Sequence, residues 1–331
     1  MDRTQAAEHV PVMRARIVEL LSVPLRTAGS VYVDCTLGLG GHAEAILEAC
    51  PDATLIGIDR DQHALALAGR RLDRFGARVQ LFQARYDELP EVLDEAGHPR
   101  VQAILADLGL SSMQIDRRER GFAYSVDAPL DMRMDDTQPL TAADLVNDAS
   151  AAELAVILRR FGEERFADRI ARRIVAERSG GRIETSARLV SIITDAIPAA
   201  ARHARSGHPA KRSFQALRIA VNGELDSLDR VLPAAWDLLR DRGRLAVISF
   251  HSLEDRRVKR FLADRIRGCV CPPELPVCVC GHEPEAEPLT RRALAATPEE
   301  IERNPRSHSA RLRGARKLPR GTDTDDERNL A

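Results

Sequence analysis

The 331-residue chain predicts an α/β fold: a Rossmann-like parallel sheet with a helical domain inserted into it. Three observations predict it. Apolar β-rich runs alternate with helical runs through the first third of the chain. A glycine-rich turn follows the first of those runs. Strand patterning then stops between about Gln114 and Arg212 and returns only near Gly243. Strands joined through helices need crossover connections, which give parallel neighbours of right-handed sense.

The elements follow in order. "SVYVDCT" (30–36) is a β-rich apolar run, and "GHAEAILEAC" (41–50) is a helix opening at glycines. "ATLIGIDRD" (53–61) is a second strand ending in acid. "QHALALAGRRLDRF" (62–75) spaces its apolar residues for one helix face. "RVQLFQARY" (78–86) and "VQAILADLG" (101–109) are strands three and four. Residues 151–180 read as two helices meeting near Gly162, and 186–197 as a helix stopped by Pro198. A long helix over 214–241 is bent or divided by Pro233, and "GRLAVISF" (243–250) resumes the sheet. The expected organisation is a first sheet segment over 1–113, an inserted helical substrate-recognition domain over 114–213, a second sheet segment over 214–318, and a disordered tail over 319–331.

Hydrophobic residues make up 44% of the chain, enough for a full core. "MDRTQAAEHVPVMRAR" is charged, so neither a signal peptide nor a membrane span is expected. The expected location is the cytoplasm, with the six cysteines mostly reduced. A net charge of −1 argues against non-specific polyanion binding, but its distribution argues for a polyanion-binding face. Residues 159–218 hold fourteen Arg/Lys against six Asp/Glu, and residues 303–320 hold seven Arg/Lys and no acid. Solvated helix surface decorated with arginine is the competing reading.

Gly38, Gly40, Gly41, His42 and Ala43 fit G-x-G-x-x-G/A between a strand and a helix, where free N–H groups meet a ligand. Asp59 ends the next strand, where a carboxylate can accept both hydroxyls of an adenosyl ribose. That pattern fits NAD, flavin or S-adenosylmethionine. Asp34 favours the last, because an acid there suits a sulfonium and an ammonium better than a pyrophosphate. Asp107 ends strand four beside the first strand, at the carboxyl edge where such sheets bind ligands. Lys211, Arg212 and Phe214 offer cations beside an aromatic ring, a pattern for phosphate contact with base stacking, or else a helix cap with Phe214 in the core. In "SFHSLEDR" (249–256), Ser252 reads as a helix N-cap, and His251 as a ligand contact or a packed core residue.

With these motifs in place the chain resembles the RsmH (MraW) family of small-subunit rRNA cytosine-N4 methyltransferases. The matching segments include "DCTLGLGGH" (34–42), "DLGLSSMQID" (107–116), "RGFAYSVDAPLDMRMD" (120–135), "FGEERFADRIARRI" (161–174), "HPAKRSFQALRIAVN" (208–222), "ISFHSLEDRRVKRF" (248–261) and "NPRSHSARLR" (304–313). The resemblance implies a class I S-adenosylmethionine methyltransferase fold with an inserted helical domain. It implies N4-methylation of one cytidine in the decoding region of 16S rRNA, with the small ribosomal subunit as partner. It places cofactor contacts on Gly40, Gly41, His42, Asp59, Tyr86, Asp107 and Gln114. Asp107 is also the candidate catalytic acceptor. An NAD-dependent oxidoreductase and a catalytically idle RNA-binding assembly factor are the rivals; Asp34 weighs against the first, the glycine loop with Asp59 and Asp107 against the second.

"GCVCPPELPVCVCG" (268–281) carries two Cys-x-Cys pairs, Cys269 with Cys271 and Cys278 with Cys280. Four close thiolates could hold Zn²⁺; free thiols and a conditional disulfide are the alternatives.

Overall fold

The computed structural model describes residues 11–110, 120–203, 207–269, 271, 272, 275, 277 and 279–319. The backbone divides into two compact units, Met1–Gly109 with Ser227–Ala331, and Leu110–Asp226.

The first unit is built on a seven-stranded sheet. Its elements begin with α1 (Arg14–Leu21), β1 (Val31–Asp34), α2 (Gly41–Ala49), β2 (Thr54–Asp59), α3 (Gln62–Leu72), β3 (Val79–Gln83), α4 (Leu89–Glu95) and β4 (Val101–Asp107). The second unit holds α5 (Ala142–Asp148), α6 (Ala151–Gly162), α7 (Ala167–Arg178), α8 (Ser186–Ala196), α9 (Ala199–His203) and α10 (Lys211–Asn222). The chain continues through α11 (Glu224–Leu238), β5 (Leu239–Ser249), α12 (Ser252–Ile266), β6 (Ala286–Pro288), α13 (Pro298–Arg303) and β7 (Arg311–Lys317). Strand order is β3-β2-β1-β4-β5-β7-β6. The β1–β2, β1–β4, β2–β3 and β4–β5 pairs are parallel, and β7 runs antiparallel to both β5 and β6. This is the class I, Rossmann-like methyltransferase order.

The sheet is covered on both faces, which is why its central strands β1, β2 and β4 read as largely apolar runs. Alternate residues go to opposite sides. Val31, Val33, Ile56, Ile58, Ile104 and Val247 join one core with Leu93, Trp236 and Leu262 from α4, α11 and α12. Tyr32, Leu55, Leu105 and Ile248 join the other with Ile17, Ile46 and Leu72 from α1, α2 and α3.

Two expectations change here. The long helix is divided at Gly223 (φ 61), the C-cap of α10, and Pro233 lies inside α11 without ending it. A left-handed φ stops a helix and suits glycine, whereas the chain passes Pro233 with its helix intact. The reading of the basic C-terminal run also narrows, since its residues Arg311–Lys317 form strand β7. Arg313 makes a double hydrogen bond to Asp255, and Lys317 is buried, donating to the carbonyls of Trp236 and Leu239 at 2.8 Å each. Arg313 and Lys317 are therefore engaged within this unit's own hydrogen-bond network.

The second unit is helical. Ser150 with Glu153 forms a capping box on α6, and the Thr185 hydroxyl caps α8. Gly162 lets α6 approach α10: a Cβ there would lie 2.5 Å from the Arg212 carbonyl oxygen. The segment around 130–134 is the unit's least obvious core. Leu130, Met132 and Met134 are buried, while Asp131 and Arg133 between them pair at 2.8 and 2.7 Å. The alternation is that of a strand, but the residues form none. Asn222 takes the partner strand's place, accepting from Met134 N and donating to the Met132 carbonyl, both at 2.8 Å. The unit reaches past the expected bounds of 114 and 213 because Phe214, Leu217 and Val221 of α10 are buried in its core. Among the described residues no helix is long and apolar enough to cross a membrane.

Candidate active site

The carboxyl ends of β1, β2 and β4 bring Asp34, Asp59 and Asp107 to one edge of the sheet. The loop from Cys35 to Gly40 runs across that edge. It is held near its C-terminal end, where Gly38 N donates to Asp59 Oδ2 at 2.7 Å and Arg71 Nη1 donates to the Leu39 carbonyl at 3.2 Å. Gly38 (φ 53) and Gly40 (φ 75) are left-handed. A Cβ on Gly41 would lie 2.4 Å from Pro11 Cγ, so that glycine serves packing. On Gly38 a Cβ would meet nothing nearer than the Thr36 carbonyl at 3.9 Å, so the loop is open on that side.

Asp34 is buried. Its carboxylate accepts from the Tyr32 hydroxyl at 3.1 Å and from Thr36 N at 3.2 Å. Burial pushes its carboxyl up to about 6, against the field of His42 and the Thr36 amide, which favour the charged form. Asp59 is pushed up to about 6 for the same reason, with the amides of Asp61 and Gly38 opposing. Thr36 also clips the two strands together, its Oγ1 accepting from Asp107 N at 2.6 Å.

Asp107 and His42 complete the cluster. His42 Nε2 lies 3.5 Å from Asp107 Oδ2, and the imidazole is only 6% exposed. Among the described residues neither ring nitrogen of His42 has a hydrogen-bond partner, and the buried Asp107 Oδ1 has none. Buried polar atoms without partners are costly, so this triad of atoms is suited to a polar ligand that supplies the missing bonds.

Tyr86 stands on a short 3-10 turn (Tyr86–Glu88) just beyond β3, half buried beside the core that covers one sheet face. Gln114 lies outside the described residues. In the helical unit Lys211 and Arg212 are exposed, and Arg212 Nη1 donates to the Glu163 carbonyl at 3.0 Å. Phe214 is 3% exposed and packs edge-on against Tyr124 at 6.0 Å, so its ring is a core ring rather than a stacking surface. His251, not Ser252, caps α12: its Nδ1 accepts from Glu254 N at 3.4 Å, and Glu254 Oε1 lies 3.1 Å from its Nε2. Thr36 and Arg71 carry site structure that motif reading passed over. The adjacency of β1 and β4 points to the first; nothing in the sequence points to the second.

The raised Asp34 carboxyl has a consequence for stability. It holds its proton more tightly folded than unfolded, so its contribution is most favourable below the ordinary carboxylate value of 3.8 and is lost as pH rises to about 6. Asp34→Asn should therefore gain on the parent chain by roughly 3 kcal/mol between pH 3.5 and 7 in ligand-free denaturation. A difference that does not vary with pH contradicts this burial.

The MraW methylase family model matches residues 6–318. A "Ribosomal RNA small subunit methyltransferase H" of Cutibacterium acnes is 55% identical over 307 residues, covering 93% of this chain and 91% of that protein. Its namesake in Symbiobacterium thermophilum is 51% identical over 319 residues, covering 96% and 99%. That of Streptomyces avermitilis is 52% identical over 312 residues, covering 94% and 98%. A solved structure of a rRNA-methylase from Clostridium thermocellum aligns over 92% of this chain and 95% of that chain at 11% identity, with a TM-score of 0.42. With the family model matched across nearly its whole length and relatives sharing half of its residues, the chain belongs to the MraW methylase family of methyltransferases.

Proposed function

We propose that the chain transfers a methyl group from S-adenosylmethionine to N4 of a specific cytidine in the decoding region of 16S rRNA, in the cytoplasm and on the small ribosomal subunit. The observation that carries the reading is the acidic edge of the sheet, where Asp34 and Asp107 flank His42 and the buried Asp107 Oδ1 lacks a partner. The names of the relatives supply the substrate class.

The residues fit the cofactor. Asp34 and Asp107 are a donor-poor, anionic pair beside a loop that is open at Gly38, which suits a group bearing a sulfonium and an ammonium. Asp59 keeps a second lone pair on each oxygen for ribose hydroxyls, and the half-buried Tyr86 ring would pack on adenine. When bound, S-adenosylmethionine supplies an electrophilic methyl group. The protein's part is positioning and charge. The cytosine amine is a weak nucleophile whose lone pair is shared with the ring, and it becomes cationic as it attacks. The Asp107 carboxylate, or the Leu108 carbonyl, accepts its N–H and stabilises that charge in a dry pocket. Thr36 holds the Asp107 backbone in register, and His42 Nε2 lies 3.5 Å from its Oδ2. The target cytidine leaves its stack to reach the site.

The test is transfer of labelled methyl from S-adenosylmethionine to small subunits isolated from cells lacking this activity. Label in 16S rRNA supports the reading, and label confined to protein or to 23S rRNA contradicts it. The basic face of the helical unit gives a second expectation. Lys211→Glu with Arg212→Glu should weaken RNA binding and lower its salt slope by about 1–2, with cofactor affinity unchanged. An unaltered slope makes that face solvent decoration.

A further inference from the structure

The segment between α12 and β6 contains a cluster that methyl transfer does not use. The Sγ atoms of Cys269, Cys271 and Cys280 all lie within 4.8 Å of one another, and those of Cys269 and Cys280 are 3.8 Å apart. An S–S bond is about 2.05 Å, so this spacing is not a disulfide. A tetrahedral zinc site with Zn–S bonds of about 2.3 Å has sulfur–sulfur edges of about 3.8 Å.

Each sulfur also receives a backbone amide. Cys271 N points to Cys269 Sγ at 3.4 Å, Val279 N to Cys271 Sγ at 3.4 Å, and His282 N to Cys280 Sγ at 3.5 Å. Among the described residues of the loop, the apolar side chains do not hold it in place. Leu275, Val277 and Val279 are 46%, 69% and 76% exposed. The base of the loop is closed where Glu285 N donates to the Arg265 carbonyl at 2.8 Å, close in sequence to Cys269 and Cys280. Cys278, the fourth thiol of the segment, lies outside the described residues.

We propose that Cys269, Cys271 and Cys280 form a structural Zn²⁺ site that fixes the 268–281 loop, separate from the methyl-transfer chemistry. Three soft sulfur ligands, one pair of them at the edge length of a tetrahedral zinc–sulfur site, select Zn²⁺ over hard cations. Binding releases the thiol protons and converts metal affinity into local order.

The full-length chain, purified under reducing conditions without chelator, should contain about one zinc per chain by elemental analysis. Cys269→Ser, Cys271→Ser and Cys280→Ser should each lower that content at least tenfold while S-adenosylmethionine binding, read by calorimetry, stays intact. Cobalt(II) loading should give thiolate-to-metal charge-transfer absorption that these variants lose. Zinc should also slow proteolysis within the loop about tenfold relative to chelator-treated protein. Zinc near zero after loading, a copper or iron stoichiometry in its place, or a mass two hydrogens short from a disulfide would each overturn the site. Retained zinc in the three variants would overturn it equally.

Discussion

Asp107→Asn is expected to lower single-turnover methyl transfer about a hundredfold or more while changing cofactor affinity less than tenfold. The substitution preserves shape and leaves one acceptor oxygen, but it removes the negative charge. The carboxylate is worth most at the moment the amine becomes cationic, when its pre-oriented oxygen needs no reorganisation. The geometry that supports this is narrow. Asp107 is fixed by its amide to Thr36 Oγ1 at 2.6 Å, its Oδ2 lies 3.5 Å from His42, and its Oδ1 is buried and unpartnered. A loss that falls mainly on cofactor binding would make Asp107 a cofactor ligand. The acceptor would then be sought at the Leu108 carbonyl, at Ser249 Oγ, which keeps its lone pairs while donating to the Arg311 carbonyl at 3.3 Å, or at His251.

The second large effect belongs to Asp59. Asp59→Ala should weaken S-adenosylmethionine binding by about 1.5–3 kcal/mol, roughly ten- to 150-fold, through loss of hydrogen bonds to a charged acceptor. The carboxylate has two tasks, since it also receives the Gly38 and Asp61 amides at 2.7 and 2.9 Å. Asp59→Asn separates them. An amide oxygen can retain one of the two backbone bonds, so a variant that keeps the loop but still loses affinity assigns the difference to the ligand's hydroxyls. Unchanged affinity of Asp59→Ala in calorimetry would remove Asp59 from the site.

Much of the sheet was readable from sequence because a parallel sheet buried on both faces demands apolar runs, and β1, β2 and β4 are such runs. Asp34, Asp59 and Asp107 were readable for the same reason, as acids that end those runs. Strand β7 was not. Its residues Arg311, Arg313, Arg316 and Lys317 look like a polyanion site until pairing partners distant in sequence, Asp255 and Glu287, are brought opposite two of them. Phe214 presents the same difficulty, since cations beside an aromatic ring describe both a stacking platform and a helix face whose ring turns inward. Leu130, Met132 and Met134 alternate as in a strand, yet their hydrogen-bonding partner is the side chain of Asn222, which no periodicity announces. The helix break at Gly223 was overshadowed by Pro233, the more conspicuous breaker, although a left-handed C-cap ends a helix more completely than a proline spanned by it.

The central claim is methylation of a cytidine amine, and the nucleoside formed tests it most directly. Small subunits from cells lacking the activity should be incubated with the chain and methyl-labelled S-adenosylmethionine, the 16S rRNA digested, and its nucleosides resolved by mass spectrometry. The account predicts label in N4-methylcytidine, about one per 16S rRNA at completion, and its loss with Asp107→Asn at matched cofactor occupancy. Label in 5-methylcytidine, in a ribose methyl group or in a purine would contradict it.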